Sequence, residues 1–382
     1  MSEKRRDKKG RVLRSGESQR ADNSYQYRYT DIHGNRKYVY APTLEELRTK
    51  EASIIRDLND GIDYSGGEIS VIELVERYIG IKRGLRKNTM RAYGTAMNHV
   101  RESYFGRMKV REVKLSDAKR WFVSLHDSGM KQNTIGVIQS IVRPAFEMAV
   151  DDDIIRKNPF KFTLSELIPN DAYVREALTK QQQEIFLKFV LEHCHAHCYD
   201  EMLILLGTGM RVSEMYGLTK SDIDFKERRI YIRRQLCRTA ENPYFVTEPK
   251  TKSGIRCLPM SPTVYETFLR VVNNRIPPKV EMLIDGCSGF LFLDKNGYPK
   301  VAMHLQNTMR KMNRKYQQLF GNRLPNITPH VLRHTFCTNM QQAGLDVKSL
   351  QYMMGHSTAS VTLDVYSHTD YDAVERAFRK VL

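Results

Sequence analysis

Six cysteines in 382 residues, without the spacing of a disulfide framework, exclude a small stapled scaffold and read as reduced thiols. Long apolar runs are missing too. No stretch is long enough to span a bilayer, and the opening Met-Ser-Glu-Lys-Arg-Arg has no signal-peptide core, so a cytoplasmic protein with no membrane partner is expected. Acidic residues are outnumbered: 44 Asp and Glu against 61 Lys and Arg leave a formal charge of +17. That excess favours a polyanionic partner bound in a salt-dependent way, and nucleic acid is the natural one. What the chain does have is 41% hydrophobic residues, enough for folded cores, over a length that suggests two or three domains.

One short segment departs from the thiol reading. His193-Cys-His-Ala-His-Cys198 is dense enough in soft ligands to hold zinc. No second ligand pair at finger spacing accompanies it, which favours a plain helix-to-helix connection.

Three pieces are expected along the chain. Residues 1–64 open with a basic run (Lys4, Arg5, Arg6, Lys8, Lys9, Arg11, Arg14), followed by two alternating stretches, Ser24–Thr30 and Asn35–Tyr40, around His33-Gly34. The alternation predicts a β-hairpin with Tyr25, Tyr27 and Tyr29 on one face and Gln26 and Arg28 on the other. A helix is expected from Thr43 to Leu58, with Thr43 as cap and Glu46 completing a capping box. The basic run leads straight into the sheet, which favours a sheet laid in a DNA groove over a merely solvated face; Arg28 and Arg36 are its candidate contacts.

Gly61, Gly66 and Gly67 then suggest a flexible connection. An all-helical stretch from 68 to 160 shows helices at 70–82, 88–105, 116–127 and 132–151, with Trp121, Phe122 and Leu125 read as core. Two helices begin alike, with Lys87-Asn88-Thr89 and with Lys131-Gln-Asn133-Thr134. A cation and a capping side chain at a helix start suit a phosphate, and ordinary capping is compatible with that role. Asn158-Pro159-Phe160 is expected to close the bundle before a linker that runs to about Arg175, with a third domain over 175–382.

The residues that carry chemistry lie in this last piece. Arg211 follows Gly-Thr-Gly-Met at a helix start, with Glu214 three residues on as either its orienting acid or a cap. Arg229–Gln235, Tyr244–Glu248 and Ile255–Leu258 read as strands that put Lys252 on the last hairpin turn. His330 and Arg333 share a helical face, His334 points away toward the core, and Gly355-His356 and Tyr366 follow. Two guanidinium groups suit the non-bridging oxygens of a phosphodiester under attack. A Lys or His can protonate a leaving 5′ oxygen, with Lys252 favoured because it sits on a turn, and a tyrosine phenol is a permitted covalent nucleophile. The two imidazoles can take the phenolic proton or bind a phosphate oxygen, and the division of those tasks stays open. After Tyr366, Val374, Ala377, Phe378, Val381 and Leu382 keep helical spacing, an apolar stripe suited to docking.

The ordered set Gly-Met-Arg-Val-Ser-Glu-Met, Lys-Thr-Lys-Ser-Gly-Ile-Arg-Cys-Leu-Pro, Thr-Pro-His-Val-Leu-Arg-His-Thr-Phe, Tyr-Met-Met-Gly-His-Ser and Thr-Leu-Asp-Val-Tyr-Ser-His resembles the catalytic signature of the tyrosine recombinases, most of all the integrases of conjugative transposons. The resemblance covers essentially the whole chain. It implies a multidomain fold: an α+β arm-binding domain with a small sheet and a helix, an all-α core-binding bundle, and a mainly α catalytic domain with a small β-sheet. It also implies Arg211 and Arg333 as phosphate clamp, Lys252 in preference to Lys250 as the turn lysine, His330 and His356 as proton-handling groups and Tyr366 as nucleophile. Further implications are a 3′ phosphotyrosine intermediate that needs no ATP or metal cofactor, a four-way junction, and a homotetramer on DNA whose C-terminal tails dock in trans. An accessory excision protein and a host DNA-bending protein are the expected partners. A type IB topoisomerase would need neither arm domain nor tail, and an architectural DNA-binding protein would leave the ordered constellation unexplained.

Overall fold

Alternating tyrosines build the first core. β1 (Glu17–Gln19), β2 (Tyr25–Thr30) and β3 (Arg36–Ala41) form an antiparallel sheet in that order, with Tyr25 opposite Ala41 and Thr30 opposite Arg36. Tyr25, Tyr27 and Tyr29 turn inward onto α1 (Leu44–Asn59), where Leu44, Leu47 and Ile54 join them. β1 was not expected, because Glu-Ser-Gln shows no apolar alternation; it is held by its register with β2. Thr43 caps α1 by accepting the Glu46 amide at 3.2 Å, but the Glu46 carboxylate returns no bond among the described residues, so only half of the capping box forms. From Arg5 on, the basic N-terminal run is a packed turn: Asp7 accepts from Arg11 Nε at 2.8 Å and from the Tyr25 hydroxyl at 3.0 Å.

The computed structural model describes residues 5–31, 34–61, 66–85, 87–171, 176–193, 196–239, 242, 244–249, 252–358 and 363. The chain divides into two units, Met1–Tyr173 and Val174–Leu382.

In the first unit, Gly66 and Gly67 belong to the fold and not to a flexible connection. They open a 3-10 turn, Gly66–Glu68, and Gly67 is buried against Arg111, whose Cβ would lie 2.8 Å from an added methyl. The helices α2 (Val71–Ile81), α3 (Lys87–Glu102), α4 (Leu115–Asp127) and α5 (Gln132–Asp151) match the expected spans to within three residues. Ser70 and Glu73 form a complete capping box on α2. Phe105 stacks on Trp121 with centroids 4.5 Å apart, and Phe122, Phe146 and Phe160 fill the same core, with Leu125 packed at its edge. α5 ends at Asp151, but the packing continues past Pro159: Phe160 and Ile168 are buried in this core, and α6 (Leu164–Leu167) lies against it. The stretch read as the start of a linker is therefore structural through Ile168.

The second unit centres on α8 (Ala196–Thr208), packed against α7 (Lys180–His193), α10 (Pro262–Asn273) and α12 (Pro329–Gln342). The His193–Cys198 segment falls where α7 passes to α8, as the connection reading expects; His193 stacks on Phe189 and Cys198 is buried, while Cys194 and His195 lie outside the described residues. The short helix α9 (Val212–Tyr216), α11 (Ala302–Phe320) and α13 (Val347–Met354) complete the helical set. β4 (Ile223–Asp224), β5 (Arg229–Ile232) and β8 (Arg256–Pro259) make one antiparallel sheet, and β6 (Gln235–Cys237) with β7 (Phe245–Thr247) another. The run 229–235 is thus two strands. Arg233 and Arg234 break it, both pairing with buried Asp222, at 3.1 and 2.5 Å. No described helix is long and apolar enough to cross a membrane.

Candidate active site

Gly209 starts the site. It follows α8 at φ 62°, a left-handed conformation that favours glycine, and an added Cβ would meet the Phe336 ring at 2.2 Å. The turn it makes delivers Arg211 to the N-cap position of α9. Glu214, fully buried, accepts the Arg211 backbone N–H at 2.8 Å and its Nη1 at 2.7 Å, so it is both cap and orienting acid.

Three guanidinium groups then meet one helix end. Asp346 caps the start of α13, and Gly355 ends it in the left-handed region at φ 63°. The last carbonyls of α13 have no intrahelical partner and carry the negative end of its dipole. Three in succession each receive an arginine: Met353 O from Arg256 Nε at 2.7 Å, Met354 O from Arg333 Nη2, and Gly355 O from Arg211 Nη2 at 3.3 Å. Arg333 also donates to Gly209 O at 2.6 Å, which ties the turn before α9 to the same point. Arg256, whose side chain is inaccessible, adds bonds to Gly254 O and to Glu214 Oε2, each at 2.9 Å.

Among the described residues the site is short of negative charge: one carboxylate, Glu214, faces Arg211, Arg256 and Arg333. Burial, followed by repulsion from Arg211, pushes the Arg333 guanidinium down to about 9. His356, half-buried beside Gly355, is pushed down to about 4 by burial and by the charges of Arg333, Arg211 and Arg256, and is neutral at ordinary pH. Burial pushes the nearby Cys337 thiol up to about 11, so it is no thiolate.

Of the six catalytic candidates, Arg211, Arg333 and His356 converge at the end of α13. His330 is exposed on the first turn of α12, which Thr328 caps through the Val331 amide at 3.3 Å. It shares a helix with buried Arg333, while His334 is half-buried, 3.5 Å from Thr338. Lys252 is not on a hairpin turn, because β7 and β8 belong to different sheets; it opens a 3-10 turn, Lys252–Gly254, that leads into β8. Pro249, which lacks an amide to donate, packs against Gly254 there. Tyr366 lies outside the described residues. Arg256 was missed by the sequence reading.

The remaining candidates lie in the first unit. Arg28 and Arg36 are exposed on the sheet face that points away from α1, alongside exposed Tyr38 and Tyr40. Thr89 is half-exposed in the first turn of α3, and the side chains of Lys87 and Asn88 lie outside the described residues. Asn133 and Thr134 are not caps: both sit within α5, behind Lys131 at the N-cap position. A carboxylate from later in the chain fills that end instead, Asp171 accepting the Gln132 amide at 2.9 Å and pairing with Lys131 Nζ at 3.2 Å.

The phage integrase family model matches residues 176–373, and the DNA-binding domain of Tn916 integrase matches residues 1–58. The transposase of transposon Tn916 from Enterococcus faecalis is 39% identical, over the whole of this chain and 97% of its own length. The Tn1545 transposase of Streptococcus pneumoniae shows the same identity and coverage. Among solved structures, the Tn1549 transposon integrase in complex with a circular intermediate DNA superposes with a TM-score of 0.78 at 38% identity, over 82% of this chain and 100% of that one. A lambda integrase tetramer bound to a Holliday junction, 16% identical, shares the fold at a TM-score of 0.56 over 95% of this chain and 98% of that one. The motifs and the fold lead to one assignment: the chain belongs to the phage integrase family and is a tyrosine-type site-specific DNA recombinase of the conjugative-transposon integrase kind.

Proposed function

We propose that the protein excises and inserts a mobile element by cutting double-stranded DNA with Tyr366. The Tyr366 oxygen attacks the scissile phosphorus, the bond to the 5′ oxygen breaks, and Lys252 supplies the proton that leaves with that oxygen. Arg211 and Arg333 hold the non-bridging oxygens, and His330 and His356 take the phenolic proton or bind a phosphate oxygen. The 3′ phosphotyrosine keeps the bond energy, so the 5′ hydroxyl of a partner strand can reverse the step without ATP or a metal.

The observation that carries this reading is the charge balance at the end of α13. Among the described residues three guanidinium groups share one carboxylate, and Arg333 is held below its ordinary value by burial and then by repulsion from Arg211. A phosphodiester placed among them supplies the missing anion. Two rounds of exchange would pass through a four-way junction on a homotetramer, with the stripe Val374, Ala377, Phe378, Val381 and Leu382 docked on a neighbouring protomer. An accessory excision protein and a host DNA-bending protein would set direction, in the cytoplasm.

Within this scheme residues 1–64 bind arm sites, 68–160 embrace the core site and 175–382 cut. The exposed face with Arg28, Arg36, Tyr38 and Tyr40 suits a DNA groove, and the starts of α3 and α5, with Lys87, Asn88, Thr89, Lys131, Asn133 and Thr134, suit backbone phosphates.

The test is covalent trapping. The native protein and Tyr366→Phe are incubated with element-end DNA nicked beside the cleavage site, and the product is run on a denaturing gel. An adduct with the native protein alone supports the reading; an adduct that survives Tyr366→Phe moves the nucleophile elsewhere, Tyr371 first. A bound, validated site that yields no adduct refutes cleavage.

A further inference from the structure

We infer that Arg256 is a positioning residue that sets the Lys252 turn against the phosphate clamp. The inference rests on the proton-donor role proposed for Lys252. Three acceptors from three parts of the chain share this one guanidinium: Gly254 O in the Lys252–Gly254 turn, Glu214 Oε2 behind Arg211, and Met353 O at the end of α13. A fixed planar fork can serve three such acceptors at once, which a lysine ammonium on a flexible stem cannot reproduce. The packing is close. A Cβ added at Gly355 would lie 2.9 Å from Arg256 Nη1 and 3.2 Å from Ser253 O, so the turn, the arginine and the helix end touch with no side chain between them.

Neither the phosphate nor the leaving oxygen is within the remit of Arg256, whose side chain is wholly inaccessible and spends its donors on protein acceptors. Its influence runs through the turn. Without the bond to Gly254 O, the backbone that carries Lys252 loses this tie to the arginine that joins Glu214 and α13. An error of about 1 Å at a reacting group costs about a hundredfold in rate.

The experiment measures single-turnover cleavage by the full-length protein on two nicked substrates that differ in one atom, the bridging 5′ oxygen or a 5′ sulfur in its place. Sulfur leaves without a proton, so the ratio of sulfur to oxygen rates reports proton donation and not the general health of the fold. Arg256→Met is expected to slow the oxygen substrate about a hundredfold and to raise the ratio at least about tenfold over the native protein. Should Arg256→Met fail to fold, Arg256→Lys, which keeps the charge beside Glu214, carries the test with the same expected direction. A native ratio in the folded variant overturns the inference even if both rates fall, because that pattern is structural damage. Lys252→Met is the reference. If sulfur rescues it but not the Arg256 variants, only the inference fails; if sulfur does not rescue Lys252→Met, the donor role of Lys252 falls first and the inference falls with it.

Discussion

Glu214 holds Arg211 at both ends, taking its backbone amide at 2.8 Å and its guanidinium at 2.7 Å, and it is also the only carboxylate partner of buried Arg256 among the described residues. Glu214→Gln removes the charge and leaves a buried guanidinium uncompensated, a change expected to destabilise the second unit by about 3–5 kcal/mol. Burial pushes the Glu214 carboxyl up, but the charges of Arg256 and Arg211 outweigh it and hold the group below the usual range. Its contribution is therefore complete above the ordinary carboxylate pKa and fades as pH falls through the lower folded value. Urea unfolding followed by near-ultraviolet circular dichroism reads the effect. Tryptophan fluorescence would miss it, since the single tryptophan, Trp121, is in the first unit.

His356 sets a second pH dependence. Its folded value of about 4 lies below the ordinary 6.5, so the unfolded chain takes up the proton first as pH falls. Stability is complete above 6.5 and declines as pH drops toward 4. The melting temperatures of the native protein and of His356→Gln, each measured at pH 7.5 and pH 5, give the check: the variant is expected to lose less on acidification.

Gly355→Ala asks a non-glycine residue to adopt φ 63° and to press on Arg256. Left-handed strain alone costs about 1–2 kcal/mol. Cleavage of a nicked substrate is expected to fall by about tenfold or more while DNA affinity is kept, because the helix end that holds the three arginines shifts by a fraction of an ångström. Native cleavage rates in Gly355→Ala would contradict this account of the site.

Arg28→Ala and Arg36→Ala test the sheet face. Each is expected to weaken binding to element-end DNA and to lower the slope of log affinity against log salt by about one. Unchanged slopes would move the DNA surface off this sheet.

Where periodicity is strong, the fold was legible: the alternating tyrosines gave the hairpin, and apolar spacing gave four helices of the first unit. Burial that comes from distant partners was not. The single run 229–235 splits because two arginines turn back onto Asp222, and α5 is closed by Asp171, nearly forty residues later. Arg211 and Arg333, the proposed clamp, stand out through their motifs, and the structure brings both to the end of α13, but Arg256 was passed over as one more cation in a basic chain. A signal existed. Leu258 faces the core, so its strand mate two residues earlier must share that face, and an arginine in the inward phase of a strand needs a buried acid to meet it.

Gly209 shows how intolerance to mutation can mislead. Its left-handed backbone and the Phe336 ring 2.2 Å from any added methyl exclude substitution twice over, while its carbonyl is spent on Arg333. A saturation screen for recombination would rank this position with the nucleophile, although no atom of it need ever meet DNA. Such a screen maps what the scaffold forbids as well as what the chemistry needs, and only a readout of folded protein beside activity separates the two.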